Sequence, residues 1–166
     1  MSTYTSFEQF EGHQLWLVKK DWWKEEYELT DNKNCYARVY QDGIFSTALN
    51  YEAYNVSIIT TGSTFSDFTI KTTDEKILGY ADSKLFSNKT RFKLNDSFEG
   101  DFYNPSFNTM YYVIVDSNNY QLIDFDGNGQ SLISINIYRK PADVPAFDAI
   151  IFAGIRCVIN RQRMLE

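Results

Sequence analysis

The chain has 166 residues and a net charge of −6. That length suits one domain with a sizeable core, and that charge excludes bulk attraction to nucleic acid or to an anionic membrane. Aromatic residues make up 17% of the chain, dominated by 12 Tyr and 13 Phe, both strand-favouring, while 3 Pro are too few for a linker or low-complexity chain.

Residues 1–10 carry neither the basic nor the apolar region of a signal peptide, so a cytoplasmic location, at most peripheral to a membrane, is expected. In that setting Cys35 and Cys157 are expected as free, buried thiols rather than a disulfide. Residues 1–14 show little pattern and read as an N-terminal arm.

Short alternating runs follow. A strand is predicted at 15–18. The runs 27–30 and 35–40 flank Asp31-Asn32-Lys33-Asn34, polar turn formers between strand-type residues, which predicts a hairpin. Further strands are predicted at 55–60, 68–71, 77–81, 90–94, 111–115, 120–123 and 131–138. Turn signals between them include Asp42-Gly43, Thr61-Gly62-Ser63, Asn95-Asp96 and Asp126-Gly127-Asn128-Gly129. The phrase Tyr27-x-Leu29-x-Asp31 has weak echoes at Phe68-x-Ile70 and at Tyr112-x-Ile114-x-Asp116. Successive hairpins of an up-and-down sheet explain it, and the uneven spacing does not define a repeat architecture.

The strand pattern stops at Pro141-Ala142-Asp143, with Asp143 expected as a helix N-cap and Pro145 in the first turn of a helix over 143–163. From Phe147 to Ile159 the apolar residues occupy nearly every face, so this helix must be buried on all sides. A membrane span needs about 20 apolar residues. Here Asp148 and Arg156 bracket a shorter core, and no transmembrane span is expected. Its seven large apolar side chains contribute ~1.5–3 kcal/mol each, a gross ~10–20 kcal/mol that rivals the net stability of a whole domain. A sheet of ~10 strands curls or closes, and closure removes its exposed edges. A closed antiparallel barrel with the helix through its lumen satisfies both segments.

Three features resemble the tubby-like barrel superfamily, which includes tubby C-terminal domains, phospholipid scramblases and LURP-one-related proteins. The first is Val18-Lys19-Lys20-Asp21-Trp22-Trp23 followed by the hairpin Tyr27-Glu28-Leu29-Thr30-Asp31. The second is Lys84-Leu85-Phe86-Ser87 followed by Arg91-Phe92-Lys93-Leu94, and the third is the apolar C-terminal helix. The likeness runs over most of residues 15–159, although Asn32, Lys33 and Asn34 stand where the family's usual glycine follows the hairpin Asp. The resemblance implies a mainly β fold, one domain over 1–166, with about twelve strands around a central helix. It also implies a lipid-associated or protein-interaction module more often than an enzyme.

Residues that could carry chemistry are few. His13 is the single histidine and lies in the arm. No nucleophile-elbow, zinc, P-loop or dinucleotide motif is present, so neither an enzyme nor a bound cofactor or metal is expected. Asp124-Phe125-Asp126-Gly127-Asn128-Gly129 matches half of a calcium loop, but Ile135 stands where the bidentate Glu belongs, and a hairpin turn explains the same residues. Trp22-Trp23 could serve a sugar-stacking platform, or simply a barrel wall with one indole inward and one outward. The run Lys89-Thr90-Arg91-Phe92-Lys93-Leu94 places Lys89, Arg91 and Lys93 on one strand face. With Lys84 they form a candidate patch for an anionic ligand, weighed against a plain solvated face. The expectation is a non-catalytic binding module for anionic phospholipid or a protein partner. The alternative is a lipocalin-like barrel carrying a small apolar molecule in its lumen.

Overall fold

Period-two alternation, read against the pleat of a strand, puts every second side chain on one face. In the computed structural model, which describes residues 3–21, 23–43, 46–62, 67–83, 88–95, 97–106, 109–127 and 131–164, that alternation builds a barrel wall. Among the described residues the wall has twelve strands. The first six are β1 (Gln14–Asp21), β2 (Glu26–Thr30), β3 (Cys35–Gln41), β4 (Leu49–Ala53), β5 (Val56–Gly62) and β6 (Phe68–Thr72). The rest are β7 (Ile77–Ser83), β8 (Lys89–Leu94), β9 (Phe98–Tyr103), β10 (Tyr111–Asp116), β11 (Gln121–Asp126) and β12 (Leu132–Ile137). Each pairs antiparallel with the next, and β1 pairs with β12 from Gln14 opposite Asn136 to Val18 opposite Leu132, closing the ring.

Two strands were not expected from the sequence. β4 reads Leu-Asn-Tyr-Glu-Ala and β9 reads Phe-Glu-Gly-Asp-Phe-Tyr, and their Asn, Glu, Asp and Gly are poor strand formers. Burial follows the alternation regardless: Leu49, Tyr51 and Ala53 face inward on β4, and Gly100 and Phe102 on β9. Gly100 has a steric reason, since a Cβ there would lie 2.2 Å from the Val115 carbonyl oxygen of β10. In the β2–β3 hairpin Asn32 adopts φ 74°, the left-handed conformation for which glycine is the usual choice and Asn the next.

The helix α1 (Phe147–Arg163) lies inside this wall. Phe147 and every residue from Ala149 to Asn160 are buried. Contacts run to opposite sides of the barrel. Phe152 stacks on Tyr51 of β4 with ring centroids 4.7 Å apart. A Cβ at Gly154 would come within 2.6 Å of Phe125 and 2.8 Å of Ile114, so this helical glycine lets α1 press against β10 and β11. No described helix is long and apolar enough to cross a membrane.

The ends of the helix differ from expectation. Pro141–Asp143 forms a separate 3₁₀ turn, and the N-cap is Ala146 at φ 57° with no side-chain cap, not Asp143. Val144 is already buried before the helix starts, so the chain turns into the lumen at a single left-handed residue after it. The N-terminal arm is packed as well. Phe7 and Phe10 are buried, and Phe7 stacks on Tyr36 at 5.5 Å and meets Phe147 edge-on at 5.4 Å. The arm therefore covers the barrel mouth through which α1 enters. Cys35 and Cys157 are both free, but Cys35 is only half-buried.

Ile151 is fully enclosed in the lumen. Ile151→Asp should abolish cooperative folding, because an unpaired buried charge costs several kcal/mol against a margin of ~5–15 kcal/mol. A cooperative melt near the parent temperature, followed by circular dichroism, would show that the helix is not core.

Candidate functional site

The basic residues read from the sequence lie on β8, whose burial alternates strictly. Lys89, Arg91 and Lys93 face outward, as the spacing requires, and Lys84 lies outside the described residues. The neighbouring strands supply opposite charge. Asp82 and Asp101 stand in register beside Arg91, and Glu99 beside Lys93. The Arg91 guanidinium donates to Asp101 at 2.8 Å and to Glu99 at 2.7 Å. Lys89 sits 5.2 Å from the centroid of the Tyr103 ring. This face is a charge-balanced ladder rather than a bare cationic stripe.

The calcium-like residues have another use. Asp124 is only 2% exposed although it is on the outer side of β11. Tyr111 donates to its Oδ2 at 2.8 Å, Tyr138 makes a short bond to the same oxygen, and Asn136 donates to Oδ1 at 2.7 Å. Both oxygens are thus spent on β10 and β12. The Asp124 bond is the main cause that raises the Tyr138 pKa above the ordinary phenol value, and burial is the main cause for Tyr111. Asn128 and Gly129 of the same run lie outside the described residues.

Arg156 was not anticipated as a feature of the lumen beyond marking the limit of the apolar run. It is 1% exposed and lacks a carboxylate partner among the described residues. Its guanidinium donates to the Thr60 carbonyl at 2.8 Å, the Thr60 hydroxyl at 3.0 Å and the Gly62 carbonyl at 3.1 Å, and lies 5.0 Å from the Phe68 ring. Burial pulls its pKa down. Carbonyl dipoles at the end of β5 replace a counter-ion here.

The two thiols are held back as nucleophiles. Burial pushes the thiol of Cys35 up to about 11 and that of Cys157 up to about 12, so both stay protonated. His13 is exposed on the arm.

Among the described residues, two concavities open at the rims. One, of about 530 Å³, lies beside the entry of α1 and includes Glu8, Tyr54, Asn55 and Asp148. The other, of about 600 Å³, is formed by the β1–β2 connection and the neighbouring wall: Trp23, Lys24, Glu25, Glu26, Arg38, Tyr40, Gln41, Asp42 and Gly43. Trp23 is 97% exposed and follows the end of β1, so it is not part of an alternating strand, and Trp22 lies outside the described residues. The Trp23 N–H donates to Asp21 Oδ1 at 2.9 Å, which fixes the turn that carries the indole. Arg38 lies 4.4 Å from the Tyr40 ring centroid and donates to Glu26 at 2.9 Å. Arg163, from the last turn of α1, reaches Glu25 at 2.6 Å and Gln41 at 3.1 Å. The lumenal helix therefore braces this cleft from behind. The sequence signal for it was Trp22-Trp23 and the Asp42-Gly43 turn, but the wall residues between them gave no sign of converging.

The molecule is thus a closed twelve-strand antiparallel barrel filled by its own C-terminal helix. Comparison with protein-family models, with curated proteins and with solved structures finds no match.

At the other rim Asp148 has its carboxyl pushed up to about 6, chiefly by burial and then by the charge of Glu8, from an ordinary 3.8. The folded state then holds the extra proton between the two values, so stability falls as pH rises through that window. Asp148→Asn should stabilise the fold at pH ~7.5 by ~1–3 kcal/mol, the helix N-terminus offsetting part of the burial cost. The gain should shrink towards zero near pH ~4, where the carboxyl is largely neutral. Paired thermal melts at the two pH values check this, and a pH-independent difference refutes it.

Proposed function

We propose that this chain is a non-catalytic binding module of the tubby-like barrel type, meeting its ligand on the outside of the barrel at the cleft around Trp23. The observation that carries the reading is the filled lumen. A lipocalin-like carrier keeps its ligand where α1 stands here, with side chains such as Phe152, Ile151 and Ile155 fully buried. Contact from outside is what this architecture offers. The Trp23 cleft combines concavity, an exposed aromatic ring and polar groups already locked in ion pairs, the usual makings of a small-ligand site. The protonated thiols and the saturated carboxylate of Asp124 support a binding role over a catalytic one.

The test is a thermal-shift screen over ligand classes on the parent and on Trp23→Ala. A ligand at 100 times its dissociation constant stabilises by ~2.7 kcal/mol, or ~5–10 °C for a chain of this size. The expected hit raises the melting temperature of the parent but not of the variant. A hit equally effective on Trp23→Ala places binding elsewhere, and turnover of a hit overturns the non-catalytic reading.

A second reading is weak contact with anionic phospholipid through the outward face of β8, favoured by the shared exposure of Lys89, Arg91 and Lys93. Each cation near an acidic surface is worth ~1 kcal/mol. The pairing of Arg91 with Asp101 and Glu99 reduces that sum. Retention on acidic liposomes should be slight, lost at high salt, and lost when all three residues become Glu. Equal retention on neutral and acidic vesicles removes the lipid reading.

A further inference from the structure

The arginines at the Trp23 cleft are already paired with carboxylates, while Lys24 and Asp42, which also line it, make no ion pair among the described residues. Arg38 lies 2.9 Å from Glu26 and 3.8 Å from Glu52, and Arg163 lies 2.6 Å from Glu25. An ionic ligand would have to compete with one of these pairs or rely on the single charge of Lys24 or Asp42. A hydroxyl would not: it can donate to a spare carboxylate lone pair and accept from a spare guanidinium N–H. Tyr40, whose hydroxyl is tied to Glu52 at 2.9 Å, has its ring covered by Arg38. Among the described residues, that leaves Trp23 as the open aromatic face of the cleft, almost wholly exposed on a turn held by Asp21. Exposing an indole forgoes burial that a ligand with a flat C–H face would restore. The wall itself is pre-set, because Arg38, Tyr40, Gln41 and Glu25 are all held by neighbours before anything binds. Pre-set polar groups lower the ordering cost of binding.

A ligand that fits is therefore neutral, rich in hydroxyls and apolar on one face. A pyranose ring has those properties together. We propose that the cleft formed by Trp23, Glu26, Arg38, Gln41 and Asp42 binds a neutral oligosaccharide, with a sugar ring stacked on the Trp23 indole. This rests on the reading of the chain as a binding module and adds the class of ligand.

The chain has 3 Trp, so a ¹⁵N spectrum carries three indole N–H signals, and Trp23→Ala identifies the one that matters. The titrants are neutral hexasaccharides of β-linked glucose, xylose, mannose and N-acetylglucosamine and of α-linked glucose, with an oligogalacturonate hexamer as the charged control. The expected result is a saturable shift of the Trp23 signal with at least one neutral hexamer and a weaker response to the charged one. Trp23→Ala should weaken binding at least about tenfold. Arg38→Ala should also weaken it, with the fold retained. Silence of the Trp23 signal across the neutral panel up to ~10 mM, where even millimolar affinity would register, overturns the proposal. So does equal binding of the charged hexamer, or neutral binding that survives Trp23→Ala. A charged ligand of another class that moves the Trp23 signal would overturn the saccharide while leaving the binding module standing.

Discussion

The barrel depends on one constraint, a helix with no polar face. α1 is buried continuously from Ala149 to Asn160, and nothing but a closed wall covers a cylinder on all sides. The wall needs the helix equally, because a ring of strands with Leu, Ile, Tyr and Phe pointing inward would otherwise enclose an empty apolar space. Neither part has a stable alternative partner within the chain. Twelve strands in uniform antiparallel order, closed by the seam between β1 and β12, meet that mutual need.

Packing around the cylinder is uneven, and small residues adjust it. Gly154 on the helix admits Phe125 and Ile114, while large rings such as Phe152 against Tyr51 fill the opposite side. The lumen also contains a charge, that of Arg156, whose two terminal nitrogens bond Thr60 and Gly62 rather than a carboxylate, while its Nε has no partner among the described residues. Arg156 bonds Thr60 and Gly62 at the end of β5, where the shorter β4 begins only at Leu49 opposite Thr60. A buried ion pair would have added a second desolvation cost, and carbonyl acceptors avoid it. Polar groups elsewhere follow the same logic. Asp124 ties β10, β11 and β12 together from outside, and Arg163 ties the end of α1 to the rim between β1 and β2.

The architecture was legible because it rests on periodicity. All-round apolarity marked the helix, and alternation in 35–40, 90–94 and 131–138 marked the wall. β4 and β9 were missed because Asn50, Glu52, Glu99 and Asp101 lower local strand propensity, while their burial is decided by neighbours distant in the chain. Asp143 does not cap α1 because it belongs to a separate 3₁₀ turn, with the buried Val144 between that turn and the helix. Site geometry was the least legible. The spacing of Lys89, Arg91 and Lys93 correctly placed them on one face, but Asp101 and Glu99, which neutralise Arg91, arrive on another strand. Trp23 and Arg38 come together through the pairing of β1, β2 and β3, and Arg163 reaches Glu25 and Gln41 only once α1 is in the lumen.

The order of the pieces along the chain has a consequence for biogenesis. The seam pairs residues 14–18 with 132–136, and the element that fills the lumen is encoded after all twelve strands. On a ribosome, most of the wall emerges with its inward aromatic face uncovered and its first strand lacking a partner on one edge. Such long-range pairing is slow, and unpaired strand edges invite association between nascent chains. Completion therefore awaits α1, which must enter the barrel as the sheet rolls up around it. Removing α1 would leave a chain that has every strand and an apolar lumen with nothing to fill it.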